Sequence, residues 1–130
     1  MKTNIYVDGF NLYYRCLKDT PYKWLNLLAL CQLSFPHHQI NRIRYFTARI
    51  RRTLTDPQKA QRQATLIRAL ETIPILTVHY GKFNTHRVWR RLAYAVPGCP
   101  QMVEVIDTKE KGSDVNLATY LLADGFQGDY

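Results

Sequence analysis

What this chain lacks narrows it first. It has only three cysteines, Cys16, Cys31 and Cys99, an odd number with no C-x-x-C spacing. That excludes a disulfide framework and a zinc ribbon, and fits a reducing cytosol. No apolar run approaches the roughly 20 residues that span a bilayer. Asp8 interrupts the N-terminus MKTNIYVDGF where a signal peptide stays apolar, so the expectation is a cytoplasmic chain with no membrane association. There is no G-x-G-x-x-G, no Walker motif and no G-x-S-x-G elbow. Internal repeats, low-complexity tracts and Gly/Ser linkers are missing too, so residues 1–130 read as one domain. Acidic residues are scarce: 10 Asp and Glu against 18 Lys and Arg leave a net charge of +8. A balance this positive points to a polyanionic partner, most simply nucleic acid, with general solubility as the plain alternative.

What is present suffices for one packed core, since 46% of residues are hydrophobic. Residues 4–8 form a short β-rich run ending in the Asp8 carboxylate, and Gly9 allows a sharp turn. Residues 11–17 predict a helical stretch. Thr20-Pro21 restarts a helix as N-cap and first helical residue, with Trp24, Leu27, Leu28 and Cys31 as its apolar face. Residues 40–50 predict a second strand, Ile43, Tyr45 and Thr47 alternating against Arg44 and Phe46. Asp56-Pro57 opens a helix through Glu71 that carries Ala60, Ala64, Ile67 and Leu70 on one face. Residues 75–80 predict a third strand, 81–100 a long basic loop, and 102–107 a short edge strand. The last helix spans residues 114–124, with Val115, Ala118, Leu121 and Leu122 inward. Strands alternating with helices give an α/β fold on a parallel sheet. Its ligand site lies outside the carboxyl ends of the strands.

Asp8, Asn11 and Asp114 converge on that rim. Two carboxylates and an amide oxygen suit a hard ion such as Mg²⁺ or Mn²⁺ rather than zinc. Each residue also has a structural role open to it: Asp114 at a helix dipole, Asp8-Gly9 as a plain turn, Asn11 as a cap. Nine of the 18 cations share the placement: Arg49, Arg51, Arg52, Lys82, Arg87, Arg90, Arg91, Lys109 and Lys111. Carboxylates within a cationic rim are what a metal-dependent phosphodiester hydrolase needs. Phe83 and Trp89 either stack on unpaired bases or anchor the basic loop. His37-His38 and the His79/His86 pair lack zinc spacing.

The segment Tyr6-Val7-Asp8-Gly9-Phe10-Asn11-Leu12-Tyr13 resembles the D-G-x-N-L opening of the NYN domain family. Lys109-Glu110-Lys111-Gly112-Ser113-Asp114-Val115-Asn116-Leu117-Ala118 resembles that family's K-G-x-D-V-x-L-A motif. The resemblance implies a PIN-like nuclease: a Rossmann-like three-layer sandwich with a mainly parallel central sheet, and an acidic Mg²⁺ or Mn²⁺ site that cleaves RNA. It implies catalytic roles for Asp8, Asn11 and Asp114, with Asp8 and Asp114 as metal ligands. Arg49, Arg51, Arg52, Lys82, Arg90 and Lys111 would position the RNA. In the family a further central strand carries a Ser-x-Asp-Ser-Asp type motif, so the domain reads as incomplete at its C-terminal end. Asp107, Glu110 and Asp129 are the local candidates for a third carboxylate. With strand order 3-2-1-4-5, residues 4–8 become an edge, and the expectation is a homodimer through that edge or the C-terminal helix. The reading is a metal-dependent endoribonuclease domain. Its alternative is a non-catalytic RNA-binding or protein-interaction module of the same fold.

Overall fold

Three parallel strands make the main sheet in the computed structural model, which describes residues 1–52 and 54–130. They are β1 (Lys2–Asp8), β2 (Gln39–Thr47) and β3 (Leu76–Tyr80), hydrogen-bonded in the order β1-β2-β3. β2 is the central strand, and from Ile43 to Thr47 it is buried on both faces. Such a strand reads as a run of buried residues instead of an alternation of inside and outside.

The two faces of β2 meet different helices. Ile43 and Tyr45 join Leu27, Cys31, Leu70 and Leu76 in the main core. Leu27 and Cys31 come from α2 (Leu27–Ser34), and Leu70 from α3 (Lys59–Glu71). Each of the larger apolar side chains contributes about 1.5–3 kcal/mol by leaving water. A short helix, α1 (Gly9–Leu12), widens into a π-helical stretch over Tyr13–Leu17 and closes the carboxyl end of this face.

The opposite face carries α4 (Ser113–Phe126) on a polar network. Arg44 donates from Nε and Nη2 to both Asp124 oxygens at 2.7 Å, and the Tyr6 hydroxyl donates to Asp124 at 2.7 Å. His79 stacks on Phe46 at 4.9 Å and lies 4.1 Å from the Tyr120 ring. The guanidinium of Arg44 sits 4.5 Å over Tyr120.

Several expectations change here. The second helix begins at Leu27, not at Thr20-Pro21, because Asn26 caps it by accepting from Ala29 N. Thr20 instead closes a turn with its hydroxyl on the Leu17 carbonyl, and Trp24 stays 60% exposed. The inward face of α4 is also different. Ser113 and Asp124 are its buried residues, while Val115, Leu121 and Leu122 face outward. Buried ion pairing with Arg44 decides the helix's rotation, and hydropathy does not. The long basic loop is half strand. β4 (Lys82–Arg91) pairs antiparallel with β5 (Met102–Lys111) in a separate two-stranded arm. Phe83 packs edge-to-face on Phe10 at 5.4 Å, so it anchors the arm's base. No helix among the described residues is long and apolar enough to cross a membrane.

Candidate active site: an aromatic cleft at the carboxyl ends of the strands

Asp8 and Asn11 stand where the sequence places them, at the end of β1. Asp8 is the N-cap of α1: Oδ1 accepts from Asn11 N at 3.0 Å and Oδ2 from Asn11 Nδ2 at 2.6 Å. Asn11 Oδ1 accepts in turn from Arg15 Nε at 3.1 Å. Asp114 is exposed in the first turn of α4, and no hydrogen bond or ion pair joins it to Asp8. Among the described residues, no three His, Cys, Asp or Glu side chains group to hold a metal ion. Mg²⁺ accepts as few as one or two protein carboxylates with waters. Of the two expected here, one already serves as a cap.

The three candidates for a further carboxylate go elsewhere. Asp107 lies between Arg90 and Lys109 on the arm. Glu110 accepts from Ser113 N and starts α4. Asp129 binds Asn4, Arg42 and Lys2 near the amino end of the sheet. The Asn4 amide and Arg42 hold its carboxyl below the ordinary range.

The six expected RNA-contacting cations are spread from the end of β2 to the outer part of the arm. Arg49 lies 4.7 Å over the Tyr80 ring and donates to its hydroxyl. Arg51 and Arg52 are exposed after β2. Lys82 and Lys111 are directly opposite at the arm's base. Arg90 is eight residues further out, roughly 26 Å at about 3.3 Å per residue, and pairs with Asp107. Sequence reasoning put Arg90 at the rim with the others because it took β4 for a loop.

Between α1, its π-helical continuation and α3 lies a cleft of about 360 Å³ that sequence reasoning missed. Phe10, Tyr13, Tyr14 and Trp24 line it with aromatic rings, and Leu66 and Ile67 supply aliphatic wall. Phe10 and Tyr14 stack at 6.1 Å, and Tyr13 meets Tyr14 edge-to-face at 5.1 Å. Tyr45 also lines it, at 7% exposure. Burial, and then the charge of Asp8, push the Tyr45 phenol up to about 12, so it stays a neutral donor near pH 7. Among the described residues its hydroxyl has no hydrogen-bond partner. No fully buried side-chain polar atom lacks a partner among the described residues, so this oxygen is not sealed away from solvent. Lys23, Lys59 and Arg62 add positive charge to the lining. The signal in the sequence was the aromatic density of residues 10–24, which hold Phe10, Tyr13, Tyr14, Tyr22 and Trp24.

Gly9 makes this geometry possible. A Cβ there would lie 2.6 Å from Tyr45 Cζ and 2.8 Å from the Phe46 carbonyl oxygen. Its role is close approach of the Tyr45 ring rather than the sharp turn expected from the sequence.

The fold is α/β, with a parallel three-stranded sheet and an antiparallel two-stranded one. No protein-family model and no solved structure matches the chain. Over 152 aligned positions it is 32% identical to the 6-hydroxy-3-succinoylpyridine 3-monooxygenase HspA of Pseudomonas putida. The match covers 98% of this chain and 49% of that protein, so the chain spans about half the length of the relative.

The relative's name is that of an oxidoreductase. It overturns the expectation of a metal-dependent endoribonuclease that hydrolyses phosphodiesters. The physical reason lies in what the motifs encode. Asp8, Gly9 and Asn11 build a helix cap and a close ring approach. Gly112 at φ 98° and Glu110 build the start of α4. These are backbone devices that a fold can carry into unrelated chemistry.

Proposed function

We propose that this chain is the ring-binding part of an oxidoreductase that hydroxylates a substituted aromatic ring, with the cleft between α1 and α3 as the ring's seat. The observation that carries the reading is the cleft: its volume lies in the range of small-molecule pockets, and its walls offer stacking faces. The relative supports the same class of substrate, since its printed substrate is a pyridine bearing hydroxyl and succinoyl groups. Monooxygenation puts one atom of dioxygen into the substrate and reduces the other to water with two electrons from a donor. The residues of this chain hold the ring and keep water from it. Tyr45 supplies one neutral hydrogen bond to a ring substituent. The frame we propose for the site is a Rossmann-like, PIN-like sandwich, and the NYN resemblance is kinship in backbone motifs.

The test uses isotopically labelled dioxygen, a reduced nicotinamide or flavin as donor, and hydroxypyridines as substrates. The expected result is one labelled oxygen atom in the product, with turnover lowered in Trp24→Ala and Tyr45→Phe. Unlabelled product, or label that is indifferent to both substitutions, contradicts the reading.

A further inference from the structure

The arm of β4 and β5 changes character along its length. Near the body it is polar, with Asn84 opposite Lys109, Thr85 opposite Thr108 and His86 opposite Asp107. Farther out, the register puts apolar side chains on both faces of the ribbon. Val88 and Val105 lie opposite each other on one face, and Trp89, Met102 and Ile106 share the other. Ile106 is 73% exposed and Trp89 64%. Residues 92–101 close the end of the ribbon without a single charge, and Tyr94 stands out from it at 84% exposure. Leu92 N donates to the Gln101 carbonyl at 2.9 Å and Cys99 N to the Val96 carbonyl at 3.1 Å, so this end is a closed turn. Cations form a collar behind it. Arg87, Arg90 and Arg91 are exposed, and no Asp or Glu occurs from residue 72 to residue 103. Arg90 shares Asp107 with Lys109, while Arg87 and Arg91 make no ion pair among the described residues. A protein partner laid along the ribbon would cover one face and leave the other in water. Apolar exposure on both faces suits a medium that surrounds the end.

We propose that the outer half of the arm is a peripheral membrane anchor: its apolar end enters the headgroup level of an anionic phospholipid bilayer, and Arg87, Arg90 and Arg91 meet the lipid phosphates. Trp and Tyr rings settle at the boundary between membrane and water, which is where Trp89 and Tyr94 would lie. Arginine forks bind phosphate through paired hydrogen bonds while their stems lie along apolar surface. The open edges of a two-stranded ribbon keep N–H and C=O groups that need water, so the depth of entry stops at the interface. The expectation of no membrane association rests on the lack of a spanning run and of a leader, and an interfacial contact needs neither. The proposal is independent of the ring-binding reading, because none of these residues lines the cleft.

The test mixes the protein with sucrose-loaded vesicles of phosphatidylcholine, alone or with about one-third phosphatidylglycerol, and reads the bound fraction by sedimentation. Binding to the anionic vesicles is expected to be about tenfold or more stronger than to the neutral ones. The Arg87→Gln/Arg90→Gln/Arg91→Gln variant is expected to bind about a hundredfold more weakly, since each such cation near the surface contributes about fivefold. Lysine at the same three positions retains most of the binding. Tyr94→Ser/Val96→Ser leaves the charge unchanged and is expected to weaken binding about tenfold or more. In Trp24→Phe the remaining Trp89 emission shifts to the blue on the anionic vesicles. All of these side chains are exposed, and circular dichroism establishes that each variant is folded. Absence of binding to the anionic vesicles overturns the proposal. Binding that is unchanged in the double Ser variant and leaves Trp89 unshifted is adsorption by net charge alone, and overturns it too. If the protein binds no vesicle but holds single-stranded RNA through the same three arginines, the arm is a nucleic-acid contact and the proposal is wrong.

Discussion

At the scale of single residues, Gly9 and Tyr45 are one unit. Gly9→Ala gains up to about 1 kcal/mol of helix propensity. It also drives a methyl into the Tyr45 ring and the Phe46 carbonyl, which costs about 1–3 kcal/mol. The expected outcome is a net loss in urea unfolding and a displaced Tyr45. Asp8 is a cap, so Asp8→Ala lowers stability by about 1 kcal/mol whether or not Mn²⁺ is present. Asp114 is exposed and has no partner among the described residues, and Asp114→Asn stays within about 0.5 kcal/mol of the parent. Mn²⁺ stabilisation of the parent that vanishes in Asp8→Ala would make that carboxylate a metal ligand instead. The sequence showed Asp8, Gly9 and Asn11 as a local cluster, since their spacing of one turn is local information. It could not show that Tyr45, 36 residues beyond Gly9, fills the space that a side chain at Gly9 would take.

At the scale of elements, α4 is held by charge. Asp124 is 3% exposed, and Arg44, bonded to both its oxygens, holds its carboxyl at about 2 against an ordinary 3.8. Arg44→Ala strands that charge and costs about 3–5 kcal/mol. His79 must be neutral, because its Nε2 lies 3.2 Å from Arg44 Nη1, which can only donate. Burial, and then the charge of Arg44, lower its pKa below 6.5. A group depressed in the folded state contributes stability that is present above its unfolded value and lost as pH falls through the folded one. Stability therefore falls first below pH 6.5 through His79, and again between 3.8 and about 2 through Asp124. Urea midpoints from pH 7 to pH 5 test the first step, and His79→Phe, which keeps the stack with Phe46 and Tyr120, flattens it. The arm of β4 and β5 is a two-stranded ribbon held mainly at its base, and such ribbons are marginal alone. Its amides beyond Phe83 are expected to exchange far faster than those of β2. The sequence yielded the three main strands and the existence of α3 and α4, where local patterns and tertiary burial agree. It found the first part of β5 as a short strand but missed β4 and the pairing of the two, because an exposed ribbon carries charges in place of apolar alternation. It also turned α4 the wrong way, because a buried ion pair outweighed the helix's apolar stripe.

At the scale of the whole molecule, two surfaces bear on the expectation of a homodimer. Among the described residues β1 is hydrogen-bonded on one side only, to β2. α4 turns Val115 and Leu122 outward at 68% and 61% exposure. Sedimentation is expected to show mass rising with concentration, and Leu122→Glu is expected to return the protein to monomer. A monomer at every concentration removes both surfaces from consideration. The cleft is tested most directly by the structure of the protein crystallised with a hydroxypyridine bearing an acidic chain. The account predicts the ring between Phe10, Tyr14 and Trp24, with the Tyr45 hydroxyl in hydrogen-bond contact. A ring bound on the arm, or at Asp8 and Asp114, with the cleft empty would contradict it.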